Sequence, residues 1–463
     1  MNKISLREFQ PKPSNIPIPF RLVLGLVLLV LLGTFLLMLP ISGATRSLTW
    51  NEAMFTTVSA LTVTGLSIIV PGRDLTLFGQ FVLLILIQFG GTGFMTIAVI
   101  FLRLIGWQIR LENRMALRDA LGLNNLGEIV KLVRNALVVL FVIELIGAIL
   151  LWLNWRELGL LTEAQAAWYG LFHAVSAMCN AGFDLFGGLP KASSGVPNDD
   201  ITLLIMSSLI FLGGIGIPVI SNVLTYRPKR FQNSKRWKLS YHVRIALLTS
   251  VFLIVFGALG MMYAESQPAG VLANEPSLWR KFTISLAQSV SARTAGFAFF
   301  PSFDQITPAS RFMLMTLMFI GASPASMGGG IKTVTFAVLV WSLLSYVRSA
   351  PEVTLWRRTL SKTTVQKAAA VLTAALFVVI TTTWLIALTH GDELDKILFE
   401  VISAFATCGL SLAYTSKLDL FGQLVIMSVM FWGRLGALTI VSAVALPRKR
   451  TPVTYPEDEV LIG

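Results

Sequence analysis

One short pattern, written four times, constrains this chain more than anything else in it. Val58-Ser59-Ala60-Leu61-Thr62-Val63-Thr64-Gly65 is matched by Val175-Ser176-Ala177-Met178-Cys179-Asn180-Ala181-Gly182. It returns as Val290-Ser291-Ala292-Arg293-Thr294-Ala295-Gly296, one residue shorter, and as Ile402-Ser403-Ala404-Phe405-Ala406-Thr407-Cys408-Gly409. The four glycines are separated by 117, 114 and 113 residues. A period that regular makes the chain a fourfold internal repeat, each unit contributing one polar, glycine-ended strip. Before each strip lies a segment of helix-forming sequence, at 51–61, 163–177, 278–290 and 393–404. At helical rise these are too short to cross a bilayer.

The surrounding chain is apolar. Of 463 residues, 55% are hydrophobic and 13% charged, about half the charge of a soluble domain. Eight runs of bilayer-spanning character occur at 22–39, 75–102, 135–154, 201–226, 245–263, 312–347, 368–389 and 420–446. The expected fold is an all-α integral membrane protein of eight transmembrane helices, in four tandem units of span, half-helix, strip and span about a pseudo-fourfold pore. The expected divisions are an N-terminal arm 1–21, units at 22–110, 129–226, 241–347 and 363–446, and a tail 447–463. Thr162 and Ser277 stand where N-caps belong, and Glu52, Glu163 and Glu393 suit helix starts. Segment 1–19 is too polar for a secretory leader. The two cysteines, Cys179 and Cys408, both fall in strips, so no disulfide framework is implied. Three histidines are too few and too scattered for a metal enzyme.

Charge placement sets the expected topology. Of the 37 Lys and Arg, 25 lie in the arm, at 103–134, 227–244 and 348–367, and in the tail. Nine lie in the connections that carry the half-helices, and Arg293, Lys332 and Arg434 fall within the membrane region. The positive-inside rule then puts both termini in the cytoplasm and the half-helices on the outer side of the cell membrane. The net charge of +13 is therefore topological, and no nucleic-acid partner is expected. Acidic residues favour the outer side by fifteen to eight; this surplus either draws cations to the mouth or merely follows topology.

Extended backbone inside apolar protein needs partners for its carbonyls. Four strips meeting on one axis could supply a carbonyl ring that replaces the water shell of a cation. The candidate donors are Val63 and Thr64, Asn180 and Ala181, Thr294 and Ala295, and Thr407 and Cys408, beside Gly65, Gly182, Gly296 and Gly409. Their side chains differ widely, which suits backbone coordination; plain turn chemistry between packed helices is the alternative.

A second repeat follows each strip: Phe89-Gly90-Gly91, Leu212-Gly213-Gly214, Ile320-Gly321-Ala322 and Trp432-Gly433-Arg434. In the first two, close helix packing is expected. The third cannot stay helical, because Gly321 is followed by Pro324 and by Gly328, Gly329 and Gly330. It reads as an intramembrane loop ahead of Lys332, with Arg434 binding its carbonyls as part of a gate, or else bracing the bundle. Arg293 is expected to turn from the axis and brace the loop, since a cation lining a cation filter repels its cargo. Glu144 is expected to be neutral or paired with backbone rather than a proton relay.

These motifs, in this order and over nearly the whole chain, resemble the K⁺ transporter superfamily that includes TrkH, KtrB and plant HKT proteins. Thr-Val-Thr-Gly at 62–65, Cys-Asn-Ala-Gly-Phe at 179–183, Arg-Thr-Ala-Gly-Phe at 293–297 and Ala-Thr-Cys-Gly-Leu at 406–410 are similar to its four filters. Gly328-Gly329-Gly330-Ile331-Lys332-Thr333 is similar to its gating loop, and Gly433-Arg434-Leu435-Gly436 to the motif whose Arg contacts that loop. Eight spans, with the tail Tyr455-Pro456-Glu457-Asp458-Glu459, look closest to the KtrB branch. The resemblance implies K⁺ uptake, with or without stimulation by Na⁺, by a homodimer docked on a cytosolic ring of nucleotide-binding regulatory subunits (KtrA-like). It implies no cofactor or nucleotide site in this chain, and no enzyme. The basic segments 103–134 and 227–244 and the tail are the candidate docking surfaces, topology charge being the alternative. Glycine in all four filters matches the K⁺-preferring members. A Na⁺-permeable member, a proton-coupled symporter and a membrane enzyme remain the rival readings; only Glu144 is available for a proton relay, and no catalytic cluster is evident.

Overall fold

A computed structural model describes residues 18–93, 129–187, 189, 195–216, 219–220, 240–324, 326–356, 358–391 and 394–436. Glu393, most of the expected docking segments and the tail lie outside the described residues, as do the far ends of the runs expected at 75–102, 201–226 and 420–446. The described chain is mostly helical. Its longer helices are α1 (Ile18–Met38), α2 (Trp50–Thr62), α3 (Leu77–Thr92), α4 (Ile129–Glu157), α5 (Glu163–Met178), α6 (Asp200–Ile215), α7 (Tyr241–Glu265), α8 (Leu278–Ser291), α9 (Pro308–Phe319), α10 (Thr333–Val347), α11 (Lys362–Thr389), α12 (Leu394–Ala406) and α13 (Leu420–Leu435). One departure from an all-helical chain is a hairpin of two residues per strand, β1 (Thr354–Leu355) with β2 (Arg358–Thr359).

Among the described residues, stretches 137–157, 241–265 and 362–389 are long and apolar enough to cross a membrane. Five apolar helical stretches are shorter: 24–38, 77–92, 200–215, 333–347 and 420–435. Leucine, isoleucine and phenylalanine stand exposed along these helices, as at Leu28, Leu31, Phe35, Phe252, Phe377 and Ile380. An outer surface this apolar suits contact with lipid tails.

The four short helices fall within two residues of the expected bounds at nearly every end, and their caps explain why. Thr49 forms a capping box with Glu52, and Thr162 with Gln165, each pairing two otherwise orphaned amides. Ser277 accepts the Arg280 amide. Each cap fixes where the short helix starts, and a left-handed residue or a glycine soon ends it.

The order of packing is cyclic. Within each unit the first long helix packs on its half-helix: α1 on α2, α4 on α5, α7 on α8, α11 on α12. Between units, the helix after the strip packs on the next half-helix: α3 on α5, α6 on α8, α9 on α12 and α13 on α2. The last pairing returns to the first unit, so the assembly closes.

The third unit breaks as expected, between α9 and α10. The other three differ from expectation, because their post-strip helices also end near the same place, at Gly93, Gly216 and Gly436, with φ of 78°, 95° and 82°. A left-handed glycine ends a helix without any drop in hydropathy, so an apolar run reads straight through it.

Candidate functional site

The strips meet at the centre of this cycle. A Cβ built on Gly65 would stand 2.4 Å from the Ala181 carbonyl oxygen; on Gly182, 2.7 Å from that of Ala295. On Gly296 it would stand 2.1 Å from the Cys408 oxygen, and on Gly409, 2.1 Å from that of Thr64. Gly65 therefore abuts unit two, Gly182 unit three, Gly296 unit four, and Gly409 unit one. The four glycines close a ring, and any side chain there would strike backbone.

The conformations repeat as well. Gly65, Gly182, Gly296 and Gly409 have φ of 91°, 71°, 79° and 96°, and Val63, Asn180, Thr294 and Thr407, two residues earlier, have 57°, 56°, 76° and 48°. Left-handed backbone at a β-branched residue is uncommon and strained. Its recurrence in units one, three and four, with Asn180 in unit two, is a built feature. The third strip, though a residue shorter, places Thr294, Ala295 and Gly296 in register with the others.

The strip serines, Ser59, Ser176, Ser291 and Ser403, are the residues whose part the sequence did not reveal. Ser59 and Ser403 Oγ accept the amides of Gly65 and Gly409, each at 3.0 Å. Ser176 and Ser291 Oγ instead donate to the carbonyls of Phe183 and Phe297, at 2.9 and 2.6 Å. Each serine carbonyl also accepts a strip amide, from Thr64, Ala181, Ala295 and Cys408, at 2.7–2.8 Å. These bonds tie each strip back to the end of its own half-helix. The signal was present: Ser is one of the residues that recur in all four copies. The C-terminal ends of all four half-helices point at the same ring, adding partial negative charge there.

Gly90 and Gly213 of the second repeat are close-packed, as expected, and so is Gly433. A Cβ on Gly90 would meet the Leu61 oxygen at 2.5 Å, on Gly213 that of Met178 at 2.0 Å, and on Gly433 that of Phe405 at 2.0 Å. Packing is only half of their part, because their carbonyls and neighbours also hold the loop. Ser323 and Met327 amides donate to the carbonyls of Gly214 and Gly213, at 3.1 and 3.4 Å. Arg434 donates to Met327 of the loop and to Gly90 and Gly91 of unit one.

Segment 321–330 lies against one end of the ring. A Cβ on Gly328 would strike Thr294 Oγ1, and one on Gly329 would lie 2.5 Å from Thr407 Oγ1; Gly321 in turn abuts the Gly329 oxygen. Pro324 sits in the turn between the Ser323 bond to Gly214 and Met327. Three cations, Arg293 buried and the other two half-buried, hold the loop carbonyls: Arg434 that of Met327, Lys332 that of Gly328, and Arg293 that of Gly321 at 2.8 Å. Arg293 also donates to Ser250 O at 3.1 Å, so it braces the loop from behind, as expected. Glu144 corrects the expectation of a backbone partner. Gln88 Nε2 donates to both its oxygens at 3.3 Å, with Cys179 Sγ 3.8 Å away.

A closed ring of glycine-ended strips, backed by four helix ends and met at one end by a glycine-rich loop, is an arrangement suited to a dehydrated cation. Residues 22–451 match the family described as TrkH, cation transport protein. The chain belongs to that family and is a multi-pass membrane protein. It is 35% identical over 445 residues to Ktr system potassium uptake protein B of Bacillus subtilis, covering 96% of each chain. It is 31% identical to potassium/sodium uptake protein NtpJ of Enterococcus hirae, over 95% of this chain and 96% of that one. Its fold matches the crystal structure of the potassium transporter TrkH from Vibrio parahaemolyticus, with a TM-score of 0.69 at 18% identity, covering 94% of this chain and 87% of that one.

Proposed function

We propose that this chain is the ion-conducting, membrane-spanning subunit of a K⁺ uptake system. It moves K⁺ inward through the ring formed by the strips at 63–65, 180–182, 294–296 and 407–409. The single observation that carries this reading is the closed cycle of glycines, each fitted against the carbonyl of the next unit. In this reading the chain crosses the cell membrane eight times, in four units, with both termini cytoplasmic and the half-helices opening outward. Cations gather at the acidic outer face, shed water into the carbonyl ring, and wait above segment 321–330. Lys332 and Arg434 hold that segment shut until it moves aside.

No chemical fuel is needed within this chain. An inside-negative potential supplies about 2.3 kcal/mol per charge per 100 mV. Control belongs to a partner: a cytosolic ring of nucleotide-binding regulatory subunits, docked on a homodimer of this chain and acting on the loop from below. The names of the relatives, Ktr system potassium uptake protein B and potassium/sodium uptake protein NtpJ, support K⁺ as cargo. The second name favours one further reading, in which Na⁺ either stimulates uptake or shares the path.

The test is growth of a K⁺-uptake-deficient bacterium on low K⁺, expressing the full chain with its regulatory subunits, with and without Na⁺. Rescue without Na⁺ supports K⁺ conduction alone, and rescue only with Na⁺ supports the stimulated form. Failure to rescue in either medium, with protein present in the membrane, contradicts the proposal.

A further inference from the structure

One buried position of the half-helices is used by neither the ring nor the loop. Three residues before each strip serine stand Thr56, His173, Gln288 and Glu400, all fully buried. Three of the four reach the segment that leaves the strip on the side away from the loop. Gln288 Oε1 accepts the amides of Phe299 and Phe300, at 2.7 and 3.3 Å. Glu400 accepts the hydroxyls of Ser411, at 2.7 Å, and of Thr415. His173 Nε2 meets Asp184 Oδ1 at 3.0 Å and the Leu185 nitrogen at 3.3 Å, while its Nδ1 faces the Tyr169 carbonyl at 2.8 Å. Leu185 and Phe299 each lie three residues past their strip glycine, and Ser411 two.

The first unit is the exception. Thr56 Oγ1 is buried without a hydrogen-bond partner, and the exit from that strip is tied within itself. Ser67 Oγ donates to the Ile69 carbonyl at 2.7 Å, and Asp74 Oδ2 accepts the Val70 amide at 2.8 Å.

Each strip is thus fastened by its serine, at the strip glycine or the residues beside it, while only three are fastened a second time to their own half-helix, beyond the glycine. A ring that favours a larger cation must resist closing on a smaller one, and a strip fixed at two points resists better than one fixed at a single point. We propose that His173, Gln288 and Glu400 are positioning residues that set the spacing of the ring carbonyls from behind, so that ion preference depends on them and not on Thr56. This inference rests on the conducting role proposed above. It concerns residues that touch no ion, and four copies of one position supply their own control.

The experiment measures K⁺ uptake against competing Na⁺ in cells lacking their own K⁺ uptake, carrying the full chain with its regulatory subunits. Gln288→Met and Glu400→Met keep the volume but remove the acceptor. Each is expected to lower K⁺-over-Na⁺ discrimination by roughly tenfold, as befits loss of a buried bond. Glu400→Gln retains an acceptor oxygen and stays within about threefold of wild type. Thr56→Val, at the position without a partner, leaves discrimination unchanged. If either Met variant fails to reach the membrane, Ser411→Ala with Thr415→Val removes the partners of Glu400 from the other side, with the same loss expected. Wild-type discrimination in the acceptor-less variants overturns the inference, as does an equal loss in Thr56→Val. A wild-type chain that carried no K⁺ would instead remove the conducting role on which the inference stands.

Discussion

Replacing Arg434 by Ala asks whether segment 321–330 is a gate or only a plug in the fold. The guanidinium joins the loop, at the Met327 carbonyl, to unit one, at Gly90 and Gly91. Opening requires the Met327 bond to break, whereas the bonds to Gly90 and Gly91 can persist in either state. Only the first therefore biases the equilibrium. A hydrogen bond to a charged group contributes about 1.5–3 kcal/mol, which is roughly ten- to a hundredfold in the ratio of open to closed loop. Lys332 and Arg293 still hold the carbonyls of Gly328 and Gly321, so the loop keeps its shape while losing its latch. Rubidium tracer uptake into proteoliposomes at a fixed potential, without regulatory subunits, should rise by about tenfold or more. Arg434→Lys should fall between wild type and Ala. Unchanged or reduced flux in correctly inserted protein would refute the gate.

Other outcomes follow from the same geometry. Gly409→Ala drives a Cβ against the Thr64 carbonyl and should abolish uptake, whereas Gly159→Ala, also at positive φ but with open space around it, should leave uptake intact; tracer flux at matched expression compares them. Gly65→Ser should lower K⁺ preference in ion competition, if Gly65 sets the spacing of the first strip. Ser403→Ala leaves the Gly409 amide without its partner, costing about 1–3 kcal/mol, and should weaken ion discrimination before it affects membrane insertion. At the start of α2, Arg46, bonded to Glu52, holds that carboxyl down at about 2. A carboxyl depressed below its usual value of 4.5 contributes stability above that value and loses it as pH falls toward 2. The melting temperature of purified protein should drop between pH 5 and 3, and Glu52→Gln should flatten that drop.

Much of this architecture was legible in the chain, for physical reasons. The half-helices announce themselves through caps at Thr162 and Ser277 and through glycine-ended strips, both of which are local chemistry. The loop was legible because Pro324 and three consecutive glycines cannot remain helical. The breaks at Gly93, Gly216 and Gly436 were not, because a lone left-handed glycine leaves the hydrophobic pattern intact. The bonds of the strip serines were hidden for another reason. Whether Oγ accepts a glycine amide, as at Ser59, or donates to a phenylalanine carbonyl, as at Ser176, depends on how the strip folds back. Glu144 was expected to be neutral or paired with backbone; its partner is instead the side chain of Gln88 from the neighbouring unit, and no spacing within the sequence relates them.

The most direct measurement is anomalous scattering from crystals of the protein grown in rubidium or thallium salt. The account predicts one or more peaks on the axis encircled by Gly65, Gly182, Gly296 and Gly409, ligated by the carbonyls of Thr64, Ala181, Ala295 and Cys408. An axis without a peak, with the cations bound elsewhere, would contradict it.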